Sequence, residues 1–189
     1  MHEFEHKIKQ LIDSEGLLPD GGKVIVGLSG GADSVALLSA LRALNYRCVA
    51  AHCNFSLRGK EADRDQHHAQ TIAMQLDAEW RTVKFDTKSY MQANGVSAEM
   101  ACRELRYEWF NRLLEDAEAE AIAVAHHRDD NVETFLLNLL RGAGIHGLRG
   151  MKPRNGHVIR PMLNCTRAEV TNYLSTKGLT FVTDSTNLV

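Results

Sequence analysis

The sequence predicts a doubly wound α/β fold, with a mostly parallel five-stranded sheet covered by helices on both faces. Three features of the 189 residues predict it. Short β-type apolar runs alternate with helical patterns, the order that builds βαβ units. Ala121-Ile-Ala-Val-Ala125 is apolar throughout, as suits a parallel strand covered on both sides. A glycine-rich bend, Ser29-Gly-Gly-Ala-Asp-Ser34, joins the first apolar strand to the first apolar helix, at the carboxyl edge where such sheets gather ligands.

The elements follow in order. Residues 1–20 form an N-terminal helical segment, with Phe4, Ile8, Leu11 and Ile12 on one face at helical spacing. Lys23-Val-Ile-Val-Gly-Leu28 is the first strand, and Val35 to Leu41 is the apolar part of a helix over 33–44. Residues 46–54 form the second strand. A polar loop, Phe55 to Lys60, leads into a helix over 61–77. Trp80 to Phe85 alternates as a third strand. Ser97-x-Glu99 opens a longer helix with Leu105, Trp109, Leu113 and Leu114 on its buried side. After the fourth strand, a helix carries Val132, Leu136, Leu137 and Leu140. His157 to Arg160 is a fifth strand and 166–177 a last helix.

Bulk numbers bound the class. Apolar content of 44% with 24% charged residues is that of a soluble globular domain, here one domain over residues 1–189. No run reaches the ~18 apolar residues of a membrane span. The start, Met-His-Glu-Phe-Glu-His-Lys, is too charged for a signal peptide. The expectation is a cytoplasmic protein with no membrane partner. Four cysteines at 48, 53, 102 and 165 form no Cys-x-x-Cys, so neither a zinc ribbon nor a dithiol redox site is indicated. The net charge of −2 excludes a chain that is basic throughout. One segment departs from that average. Arg141, Arg149, Lys152, Arg154, Arg160 and Arg167 occur with no Asp or Glu among them. It reads either as a solvated surface loop or as a nucleic-acid contact.

The glycine bend is a phosphate cradle. Gly30 and Gly31 have no Cβ, so the backbone can turn tightly beside a ligand. The helix start then offers unpaired N–H groups to an anion. Ser29 and Ser34 add hydroxyl donors, and the backbone at Ala32 completes the bend. Asp33 is the odd member: a carboxylate beside phosphates is repulsive unless a divalent cation lies between them, which implies Mg²⁺. No lysine follows the glycines, so this is not the Walker-type loop, and Gly-x-Gly-x-x-Gly is absent.

A second cluster, His126-His-Arg-Asp-Asp-Asn-Val-Glu133, lies at the end of the fourth strand. Asp130 and Glu133 share a helix face, and His126 can lean over the same pocket. Two carboxylates there suit a cationic substrate or a metal. Asp129 is expected to favour its own helix start. In the third cluster, Arg103 or Arg106 can reach the pocket and clamp a carboxylate or phosphate. Backbone at Ala51 and the side chain of Asn54 are expected to border the adenosine.

The loop resembles the PP-loop of the ATP pyrophosphatases. With His52-Cys-Asn-Phe-Ser-Leu-Arg58, Ala101-Cys-Arg-Glu-Leu-Arg-Tyr107, Ala125 to Phe135, Arg141 to Met151, Arg160-Pro161 and Asp184-Ser-Thr-Asn187 in this order, the chain closely resembles the N-terminal domain of the tRNA(Ile)-lysidine synthetase family. The resemblance implies a Rossmann-like PP-loop fold and an ATP-dependent carbon–nitrogen ligase. The enzyme would adenylate the wobble cytidine of a CAU-anticodon isoleucine tRNA, and free L-lysine would then displace AMP. It implies ATP contacts at Ser29, Gly30, Gly31, Ala32, Asp33 and Ser34, a metal at Asp33 and Asp130, and lysine held by Arg106, His126, Asp130 and Glu133. Asp33, Asp130 and Arg106 would be catalytic. Arg141, Arg149, Lys152 and Arg154 would meet anticodon-loop phosphates. The family commonly has His where this chain has Phe55. Family members continue into further tRNA-contacting domains, so the chain is expected to be a catalytic core that binds ATP and Mg²⁺ and modifies tRNA poorly. Oligomeric state, including a homodimer, is left open. The rivals are a 2-thiocytidine-type PP-loop enzyme, which the missing Cys-x-x-Cys disfavours, and a passive nucleotide-binding module, which the acidic cluster disfavours.

Overall fold

A computed structural model describes residues 1–140 and 150–183. The chain runs through α1 (Glu3–Ser14), β1 (Lys23–Gly27), α2 (Ala32–Ala43), β2 (Arg47–Asn54), α3 (Lys60–Gln75), β3 (Glu79–Lys84), α4 (Thr87–Asn94) and α5 (Ala98–Asp116). It continues through β4 (Ala121–Ala123), α6 (Arg128–Leu140), β5 (Arg154–Asn155), β6 (Val158–Ile159) and α7 (Arg167–Lys177). The sheet order is β3-β2-β1-β4-β6-β5. Every pairing is parallel except β5 with β6. The predicted five-stranded sheet is present, and the two-residue β5 adds a short antiparallel edge.

Alternation along the strands divides the core in two. Val24, Val26, Cys48, Ala50, Ala121 and Ala123 face α1, α2, α3 and α7. Ile25, Val49, Ala51 and Ile122 face Phe110, Leu113 and Leu114 of α5. This is the period-2 geometry of a pleated strand, used on both faces. Full burial of one such aliphatic or aromatic side chain contributes about 1.5–3 kcal/mol. The helix α1 is set by His2, which caps it reciprocally with Glu5, and by Phe4, Ile8, Leu11 and Ile12, all buried.

Two elements depart from the sequence expectation. The helix α4 has only Thr87 buried, so it carries no apolar stripe to reveal it; Asp86 caps its start and Gly95, at φ 64, ends it. The helix α6 buries none of its residues, although it carries Val132, Leu136, Leu137 and Leu140. No helix among the described residues is long and apolar enough to cross a membrane.

The strand order turns outward from β1 in both directions, to β2 on one side and β4 on the other. That switch point opens a crevice at the carboxyl ends of β1 and β4.

Candidate active site

The loop after β1 is built for an anion. Gly30 has φ 92, a conformation side chains avoid, and a Cβ there would sit 3.2 Å from Val182 Cγ2. Val182 N–H donates to Gly30 O at 2.9 Å, so the segment after α7 holds the loop from outside. Gly31 is the N-cap of α2, with no side chain capping it, which leaves the first N–H groups of a buried helix available. Ser29 and Ser34 hydroxyls lie 3.1 Å apart, and Ser34 Oγ donates to Gly31 O at 2.9 Å.

A cavity of about 370 Å³ opens beside this loop. It brings together Ser29, Gly31, Asp33, Ser34, Ala51, Arg106, His126 and Asp130, from the β1–α2 turn, the body of β2, the middle of α5 and the β4–α6 turn. Its other walls include Cys53, Phe55, Tyr107 and Phe110. A second cavity of about 270 Å³ lies across the same loop, lined by Ala32, Asp33, Arg58, Asp65, Arg167 and residues 181–183 among others. Gly30 is buried behind the loop.

Some expected residues lie elsewhere. Asn54 is buried, and its amide donates to Asp63 Oδ1 at 3.2 Å and Gln66 Oε1 at 2.9 Å while accepting from Ser56 N–H. It shapes the turn after β2 instead of lining the main cavity. Glu133 is exposed and lines a third, shallow cavity with Arg128, Asp129, Val132, Leu136 and Thr166. One turn along an exposed helix carries it away from Asp130. Lys152 is exposed, and Arg154 donates to the carbonyls of Gly16 and Leu17. Arg141, Arg149 and the Asp184 to Asn187 motif lie outside the described residues.

The electrostatics single out Asp33. Burial raises its pKa, while His127 and Arg167 pull it down and Asp130 and Asp129 push it up again. The net rise marks a carboxylate short of positive charge. His126 has its pKa lowered by burial first, then by Arg160, whose Nε donates to His126 Nδ1 at 3.3 Å. A neutral His126 therefore faces the cavity. Arg106 lies over the Phe55 ring at 5.4 Å, and Phe55 stacks on Phe85 at 5.6 Å. Asp129 sits in the first turn of α6 as expected; its carboxylate also accepts from Arg167 N–H at 2.8 Å, at the start of α7.

Three residues were missed as site residues. His127, fully buried, lies within 3.5 Å of Asp33 and 3.3 Å of Asp130; its His-x-x-Asp spacing is a capping-box signal of the kind His2-x-x-Glu5 also carries. Phe55 stands in the second motif and Arg167 ends the basic segment, but only folding brings them to the two cavities.

The donor set is oxygen-rich. Mg²⁺ is usually held by one or two carboxylates together with phosphate oxygens, and Asp33 with Asp130 on one cavity fits that arrangement. Among the described residues no three His, Cys, Asp or Glu side chains converge as a ready-made metal cage.

The chain is similar to known proteins in sequence and in fold. The tRNA(Ile)-lysidine synthase of Parabacteroides distasonis is 50% identical over 183 residues, covering 97% of this chain and 42% of that protein. The protein of the same name from Bacteroides thetaiotaomicron is 48% identical, covering 98% of this chain and 43% of that protein. The chain thus spans less than half the length of these relatives. Among solved structures, the U34-tRNA thiolase NcsA from Methanococcus maripaludis superposes with a TM-score of 0.76 at 21% identity, covering 95% of this chain and 65% of that one. An NAD synthetase from Campylobacter jejuni superposes at 0.61 and 16%, covering 95% of this chain and 75% of that one. At such identities the likeness is one of fold. The PP-loop domain family matches residues 1–189, and the chain belongs to that family.

Proposed function

We propose that this chain is the catalytic PP-loop domain of a tRNA(Ile)-lysidine synthase. The observation that carries the reading is one cavity presenting the phosphate loop, two carboxylates (Asp33 and Asp130), a neutral histidine and an arginine. The relatives' name supplies the substrate class. ATP lies along the crevice, its adenosine toward the backbone at Ala51 and its phosphates on Ser29 to Ser34. Mg²⁺, held by Asp33 and Asp130, would offset phosphate charge. The 2-oxygen of the wobble cytidine attacks the α-phosphorus and pyrophosphate leaves. The ε-nitrogen of lysine then attacks C2, and AMP leaves with that oxygen, so that lysidine forms.

The amine must be neutral to attack. Its ordinary pKa is about 10.4, so roughly one lysine in a thousand is neutral near pH 7.4. Asp130 is placed to take the proton, and Arg106 suits the lysine carboxylate. Glu133 enters the lysine subsite only by a change in α6. Lys152, with Arg141 and Arg149 outside the described residues, would position the anticodon phosphates without reading bases. A tRNA substrate places the protein in the cytoplasm.

Incubation with ATP, labelled lysine and a CAU-anticodon tRNA tests this. Lysine incorporation supports the reading, at a lower rate than a full-length relative. ATP binding with no AMP released, even from a version extended past Val189, would leave a passive nucleotide-binding module.

A further inference from the structure

We propose that His127 is a positioning residue that ties the Asp33 carboxylate on α2 to the Asp130 carboxylate on α6, presenting the two as a pair to one divalent cation. The proposal rests on the Mg²⁺–ATP reading of the main cavity.

His127 occupies the position before α6. Its backbone N–H donates to Asp130 Oδ2 at 2.9 Å, and Asp130 N–H donates to His127 Nδ1 at 3.3 Å. This reciprocal pair orients the Asp130 carboxylate and the imidazole together. Nε2 lies 3.5 Å from Asp33 Oδ1. The cap therefore fixes the ring, and the ring sets Nε2 beside Asp33. The ring is 0% exposed, so no water reaches that nitrogen, and Arg167 NH2 lies 3.4 Å from it. Arg167 NH2 approaches the other Asp33 oxygen at 3.9 Å, and Asp129 holds the Arg167 backbone.

A cap alone does not explain this residue. Capping needs one acceptor, and Asn, Asp, Ser and Thr are the usual choices. What histidine adds is a second nitrogen on the far side of a rigid ring, reaching another helix.

The test separates the two roles. His127→Asn and His127→Thr retain a cap acceptor and lose the reach to Asp33; His127→Ala loses both. Each is measured for thermal midpoint without ligand, and for binding of a non-hydrolysable ATP analogue across a Mg²⁺ titration. His127→Asn should melt above His127→Ala, yet need about 10–100 times more Mg²⁺ for half-maximal binding, the range expected on losing a group that orients a ligand. Analogue affinity without Mg²⁺ should stay as in the unmodified chain. A Mg²⁺ midpoint unchanged in both His127→Asn and His127→Thr would overturn the proposal. An unmodified chain whose binding ignores Mg²⁺ would overturn the cavity reading itself, and that failure is visible before any variant is made.

Discussion

Asp33 carries a charge that its surroundings resist, and that conflict can be measured. Its folded pKa lies above the ordinary 3.8, so the unfolded chain releases this proton first as pH rises. Ionised Asp33 therefore lowers stability at neutral pH, and the loss disappears as pH falls below both values. Asp33→Asn should abolish AMP formation and still raise the melting temperature of the nucleotide-free chain at pH 7. That gain should vanish toward about pH 4; paired melting curves across pH check it, and unchanged turnover would remove Asp33 from the mechanism. Phe55 offers a second case. With Arg106 over its ring, Phe55→Ala should lower turnover by about 2- to 30-fold, from a cation–π contribution of about 0.5–2 kcal/mol. Phe55→His should lose less, because a ring remains under the guanidinium; single-turnover AMP release distinguishes them. The sequence displayed Asp33, Asp130, Arg106 and His126, because motif residues stand at fixed offsets from strand ends. It could not display Phe55 beneath Arg106, a contact between residues about fifty positions apart. Asn54 looked like a ligand contact and serves a turn, since nothing in a sequence says which way a strand-end amide points.

At the scale of elements, legibility followed burial. The strands β1, β2 and β4 and the helices α1, α2 and α5 announce themselves because each buries an apolar face. The helix α4 buries almost nothing and is held by Asp86 and Gly95. The helix α6 has a helical pattern without a covering layer among the described residues: Leu140 is 83% exposed and Leu136 50%. A pattern records amphipathicity and does not name the partner. The loop between β1 and α2 is the element most sensitive to change. Gly30→Ala places a side chain at φ 92 against Val182, and should lower stability by about 1–3 kcal/mol and weaken ATP-analogue binding. Chemical denaturation and calorimetric titration on one sample measure both; a variant that binds like the unmodified chain would show the loop tolerates a Cβ.

At the scale of the whole molecule, the sheet puts the carboxyl ends of its five parallel strands on one edge, and the candidate site lies along that edge. The thiols are inert, including that of Cys53 on the cavity wall. Burial pushes the thiols of Cys48, Cys53 and Cys165 up to about 12 and raises that of Cys102, and all four are free. Thiols this protonated at pH 8 are poor nucleophiles. Iodoacetamide should label the folded chain slowly and all four sites after unfolding, as read by intact mass; fast labelling of several sites in the folded chain would contradict that packing. One hydrogen bond has a reach larger than its size. Residues 181–183 cross the outside of the glycine loop, and Val182 grips Gly30 there. The loop is thus sprung from two sides, by β1 within and by this strap without. On the proposed reading of this loop as a phosphate cradle, displacement of the strap would load that backbone, and the segment after α7 would be a handle on nucleotide affinity.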